Sequence, residues 1–197
     1  MNMNRQLAIC AAVLLPAWLF GLSGCGAFLA GSAITGAVVT SDKRTTGTVF
    51  EDQSIENKAD DFLKADGALA GQTHINVTSY NQMVLLSGEA PTEELKKRAE
   101  EYVSRITKVR HVYNEIAIAE PSATINRTND GLITTKVKGK LVSIKDISAL
   151  DVKVVTEAGV VYLMGLLDQR TGDAVAEAVS TVGGITKVVK LFESSNR

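Results

Sequence analysis

The chain holds only two cysteines and two histidines in 197 residues, and its formal charge is −1. Each scarcity excludes something. Cys10 and Cys25 both lie near the N-terminus, so no thiol remains further on to cross-link the body of the protein, which must be held by its core alone. His74 and His111 have no companion at metal-ligand spacing such as His-x-x-x-His, and each reads as a surface or satisfied polar residue. There is no Gly-x-Ser-x-Gly elbow and no phosphate loop. The acid pairs Glu93-Glu94 and Glu100-Glu101 are adjacent on a helix, where neighbours do not face each other, so they read as a solvated face and not as an acid/base couple. A near-neutral chain also lacks the basic excess that nucleic acid demands. The expectation is a protein that is not an enzyme and has no cofactor, no metal and no nucleic-acid partner.

Long apolar runs are missing too, with one exception. Leu7 to Leu22 is apolar, follows a short polar start with one cation, Arg5, and ends in the small residues Ser23-Gly24. That is the layout of a secretory signal. Leu22-Ser23-Gly24-Cys25 resembles the lipobox of bacterial lipoproteins. The resemblance implies removal of residues 1–24, a diacylglyceryl group on the Cys25 sulfur and acylation of its new amine. The alternatives are an ordinary signal, or a transmembrane helix that happens to contain Cys25. Cleavage would leave 173 residues, enough for one ordinary domain or two small ones. Gly26 to Thr40, rich in Gly, Ala, Ser and Thr, reads as a flexible tether, so residues 25–45 are expected to be a lipidated leash. Lipoprotein sorting commonly reads the residue after the cysteine; Gly26 in place of aspartate implies delivery to the outer membrane, on its periplasmic face.

The rest of the chain repeats itself. Ile75 to Ser79 followed by Met83 to Gly88 matches Val152 to Thr156 followed by Val160 to Gly165, which sets Gly88 on Gly165. Ile106-Thr107-Lys108-Val109 recurs as Ile185-Thr186-Lys187-Val188. Each copy opens with a helix: Ile55, Ala59, Phe62 and Leu63 share one face in the first, Ile133, Val137 and Leu141 in the second. Two short strands rich in β-branched residues follow, joined by the short turns Asn81-Gln82 and Ala158-Gly159. The shared glycine suggests a backbone conformation or a close approach that a Cβ would obstruct. A second helix comes next. Thr92 caps it in the first copy, with Leu95, Ala99, Tyr102, Val103 and Ile106 as its apolar stripe. Asp168 caps it in the second, with Ala174, Val175, Ala178, Val179 and Val182. A last strand, Val109 to Ile118 or Thr186 to Phe192, closes each copy. The helix before it implies a parallel crossover and hence a small mixed sheet of three strands packed on two helices. Pro121-Ser122-Ala123 marks the joint.

Two αββαβ units of this size, 46–120 and 124–195, with the strand–glycine–helix signature at Gly88 and Gly165, resemble BON domains (bacterial OsmY and nodulation). Behind a lipobox they resemble the dual-BON outer-membrane lipoproteins. The resemblance implies an α+β fold of two tandem domains, a protein on the inner leaflet of the outer membrane, binding of anionic phospholipid and maintenance of envelope integrity, without enzymatic activity.

Charge separates the two copies. Residues 46–120 carry eight Lys and Arg against thirteen Asp and Glu, and residues 121–197 carry ten against eight. Only the second would be drawn to an anionic surface. In its first helix Leu132 points away from the Ile133–Val137–Leu141 stripe and lies near Lys136, with Gly139 and Lys140 following. An exposed leucine beside lysines suits a membrane interface, the leucine entering the acyl boundary and the cations meeting phosphate. The alternative is an ordinary amphipathic helix whose lysines are solvated and whose Leu132 packs on the neighbouring unit. The acidic first unit suits a basic protein surface better, so a protein-interaction role accessory to the outer-membrane assembly machinery is the competing expectation.

Overall fold

The computed structural model describes residues 42–121, 124–144 and 147–194, with side chains omitted for 124–127. The expected signal peptide, Cys25 and the tether up to residue 41 lie outside the described residues. The unit that holds both copies starts at Asp42, so its first four residues fall within the span expected to be tether. Arg44 pairs with Asp42 and Asp52, each at 2.7 Å, and its guanidinium lies 4.1 Å from the centre of the Tyr80 ring.

The first copy runs α1 (Thr46–Ala65), α2 (Gly67–Gln72), β1 (His74–Tyr80), β2 (Met83–Ala90), α3 (Glu93–Ser104), β3 (His111–Asn114) and β4 (Ala117–Ile118). Thr45 caps α1 by accepting from Thr48 N, and Ile55, Ala59 and Leu63, four residues apart, bury its inner stripe. Phe62 does not share that burial: it is 49% exposed and stacks on Tyr102 with ring centroids 6.5 Å apart. One helical step of about 100° carries it off the stripe to the seam with α3. The short α2 is absent from the sequence reading because Gly67 and Gly71 weaken its helical signal. Asp66 starts it by accepting from Ala68 N and Leu69 N, and Leu69 is buried as its anchor.

The second copy runs α4 (Thr124–Val142), a 3-10 turn (Ala149–Asp151), β5 (Val152–Glu157), β6 (Val160–Leu166), α5 (Gln169–Ser180) and β7 (Lys187–Glu193). Asp168 caps α5 through Thr171 N. The buried stripe of α5 is Gly172, Val175 and Val179, whereas Ala174, expected inside, is exposed. Phe192 packs against Gly172, where a Cβ would stand 2.7 Å from its ring.

Each copy is therefore αββαβ in outline, and each sheet is mixed: β1–β2 and β5–β6 are antiparallel, β2–β3 and β6–β7 parallel. The strand expected over Val109 to Ile118 is in two pieces. Register is kept across the gap, from Leu86↔Asn114 to Glu89↔Ala117. The break falls beside Gly88, whose φ of +114° turns the partner strand.

Both hairpin turns have two consecutive positive φ values, 53° and 65° at Asn81-Gln82 and 49° and 77° at Ala158-Gly159, the I′ geometry that suits strand twist. One buried aspartate on the preceding helix ties each turn down. Asp52 accepts from Asn81 N and Gln82 N at 2.8 and 2.7 Å. Asp130 accepts from Ala158 N and Gly159 N at 2.8 and 2.9 Å.

Alternation along the central strands builds three cores from two sheets. Val84 and Leu86 of β2 face their own helices, and Val161 and Leu163 of β6 face theirs. The residues between them turn the other way: Leu85, with Tyr80, meets Tyr162 and Met164 in a third buried cluster shared by both copies. The two sheets thus pack face to face, with helices on the outer sides. Polar pairs cross the joint as well. Glu193 accepts from Asn81 and from Arg110, each at 2.6 Å. Burial works against its ionised form, but these bonds hold the Glu193 carboxyl below its usual range.

Candidate functional site

Sheet-on-sheet packing leaves the outer face of α4 in solvent. Its inner stripe, Ile133, Val137 and Leu141, is fully buried, and Thr134 bonds Thr156 of β5 at 2.8 Å. On the opposite side Leu132 is 58% exposed, so it does not pack on the first copy, and Val142 is 73% exposed. Lys136, Lys138 and Gly139 are exposed, and Lys140 is half-buried at the margin. A Cβ at Gly131 or Gly139 would meet nothing within 4 Å, so the surface there is open backbone. Among the described residues none of the three lysines forms an ion pair. Leu132, Lys136 and Gly139 lie along one helical line, with Lys140 one step aside. The arrangement can offer a solvated apolar side chain and unneutralised cations to the same surface.

The two glycines of the repeat are sites of close backbone approach. A Cβ on Gly88 would lie 2.0 Å from the His74 carbonyl oxygen, and one on Gly165 2.5 Å from that of Asp151.

A second cluster was not foreseen. His111 is exposed and packs edge-on against Tyr113. His74 is half-buried, and its Nδ1 lies 3.0 Å from Glu89 Oε2 and 3.9 Å from Glu157 Oε1. The first contact follows from the hairpin, since the turn at Asn81-Gln82 sets His74 opposite Glu89. The second depends on how the two copies dock, which no motif announces. Asn76 Nδ2 donates to Glu157 Oε2 at 2.7 Å. Burial pushes the Glu157 carboxyl above its ordinary value. The Asn76 bond and His74 pull it down, while the nearby Glu89 and Asp130 push it further up. No helix among the described residues is long and apolar enough to cross a membrane.

Two copies of a helix–hairpin–helix–strand unit, each with a glycine against the preceding strand, define the class. The family described as BON domain matches residues 51–120 and 129–195, and the chain belongs to it, with two copies. Outer membrane lipoprotein DolP of Haemophilus influenzae is 35% identical over 182 residues, 92% of this chain and 94% of that protein. The 21 kDa hemolysin of Actinobacillus pleuropneumoniae is 37% identical over 151 residues, 77% of this chain and 78% of its own length.

Proposed function

We propose that the protein is an outer-membrane lipoprotein, anchored through Cys25 on the periplasmic face, whose second BON domain contacts anionic phospholipid of the inner leaflet and which serves envelope integrity. The name of its relative DolP supports the location. One observation carries the lipid contact: Leu132 is solvated beside lysines that have no acidic partner among the described residues, on a helix whose inner stripe is fully buried. A lysine near an anionic surface contributes about 1 kcal/mol, so three raise occupancy by about two orders of magnitude. Acyl chains on Cys25 already hold the protein on the membrane. The role of the α4 face is then to choose which lipids the tethered domain sits on, at the high effective concentration a tether provides.

The mature protein is expected to shift toward vesicles containing phosphatidylglycerol or cardiolipin through this face. Leu132→Ala should weaken vesicle binding of an unlipidated form about tenfold, the worth of one inserted leucine side chain. Lys136→Glu should weaken it at least as much. Neither should move the melting temperature by more than about 2 °C, because both side chains are exposed. Equal sedimentation with neutral and anionic vesicles would sink the reading. Separately, Cys25→Ala should move the protein from the membrane fraction to the soluble periplasm or leave an uncleaved precursor. Full processing with unchanged partitioning would refute the anchor.

A second reading has Phe50 in its favour. It is 73% exposed on α1 of the acidic first copy, a surface that suits a basic protein partner. Recurrent protein adducts from a photo-crosslinker at position 50 in intact envelopes would support that reading, and none would remove it.

A further inference from the structure

We infer that His74, Glu89 and Glu157 form a site for a divalent transition-metal ion, zinc by the chemistry of its donors, that clips the two BON domains together. His74 opens β1, Glu89 stands opposite it in β2, and Glu157 closes β5 of the other copy. The three ligand atoms all lie within 4.8 Å of one another, with His74 Nδ1 at 3.0 Å from Glu89 and 3.9 Å from Glu157. Tetrahedral zinc with bonds of about 2.0 Å sets its ligand atoms about 3.3 Å apart, a spacing these two distances bracket.

Charge points the same way. Glu89 and Glu157 are 5% and 8% exposed. Asp130 lines the same cleft as Glu157 and His74, so three acidic side chains gather around one imidazole. Among the described residues His74 is the one basic side chain paired with Glu89 and Glu157, and buried charge without a partner is costly. A divalent ion removes the deficit. The surroundings are those of a ligand set. The bond from Asn76 fixes Glu157 Oε2 and leaves Oε1 turned toward His74, the outer-shell orientation that metal-binding carboxylates show. A cleft of about 290 Å³, lined by His74, Asn76, Asp130, Thr134 and Glu157 among others, opens onto the group. It gives an entry path and room for a water as fourth ligand. An imidazole among the donors favours zinc over calcium or magnesium, which take oxygen ligands. The ligands come from both copies, so only the docked arrangement binds the ion tightly, and the ion stabilises docking by linkage. This inference stands or falls independently of the phospholipid reading.

The test uses the mature full chain in detergent, stripped with chelator and titrated with zinc chloride against a chromophoric chelator, alongside thermal unfolding. One zinc per chain is expected, with a melting temperature raised by about 5 °C once free zinc exceeds the dissociation constant a hundredfold. Glu157→Gln and Glu89→Gln keep side-chain size, and each should lower zinc affinity at least tenfold and abolish the thermal response. X-ray absorption of the zinc-loaded wild type should show one imidazole and two carboxylate oxygens, a readout that needs no variant. The inference is overturned by no stoichiometric uptake, by uptake undiminished in both variants, by a zinc shell without imidazole, or by an equal thermal response to magnesium.

Discussion

Gly88→Ala is expected to destabilise the first BON domain by at least about 4 kcal/mol and to lower its melting temperature by about 15 °C or more. Two effects add at this residue. Its φ of +114° lies where side-chain-bearing residues are strained, at a cost of about 1–3 kcal/mol. Its Cβ would also stand 2.0 Å from the His74 carbonyl oxygen and 3.3 Å from the Ile75 Cα. These are backbone atoms of the paired strand, so relief means breaking the Ile75↔Gly88 pairing rather than turning a side chain. Gly165→Ala meets Asp151 O at 2.5 Å but without a positive φ, and should cost about half as much. Urea titration of the two variants followed by circular dichroism checks the ranking, and a more damaging Gly165→Ala would contradict it. Small domains have about 5–15 kcal/mol to lose, so Gly88→Ala takes a large share. The strand pairing it disrupts is also the one that sets His74 opposite Glu89. The variant should therefore lose the zinc response together with stability.

Periodicity made most of each copy legible. The Ile55–Ala59–Leu63 and Ile133–Val137–Leu141 stripes, both caps and both hairpin turns follow from local patterns, and the copies share them because each solves the same local problem. What stayed hidden depends on competition between neighbours. Phe62 and Ala174 sit one helical step from a buried position; Phe62 stacks on Tyr102, and Phe192 packs against Gly172. The docking of the sheets left a trace that goes beyond a half-buried strand. Met83-Val84-Leu85-Leu86 and Val160 to Met164 are apolar at consecutive positions, where one-sided burial would alternate with polar residues. Both faces of these strands are in fact covered. That packing explains why α4 is outermost and why Leu132 is solvated. It also explains why the helical phase of Leu132 was readable while the meeting of Glu157 with His74 was not.

Asp52→Ala should be the second most damaging change, at about 3–5 kcal/mol, and worse than Asp130→Ala. Both aspartates accept the two N–H groups of a hairpin turn, and alanine leaves those partly buried donors without that acceptor. Asp52 does more. It also accepts from Ser79 Oγ at 2.7 Å and pairs with Arg44 at 2.7 Å. Asp52 and Ser79 are 3% and 2% exposed, so water does not replace the lost bonds. Arg44 would keep Asp42 and its place over Tyr80 but lose the pair that fixes the chain entering α1. Tyr80 belongs to the core shared by both sheets, so the loss should spread across the joint. Hydrogen exchange on the full chain separates the two variants. Asp130→Ala should raise exchange at Ala158 and Gly159 alone. Asp52→Ala should raise it at Asn81 and Gln82, along α1 from its first turn, and in β6 around Tyr162. Exchange confined to the Asn81-Gln82 turn would show that Arg44 does not couple the start of the fold to the joint between the domains.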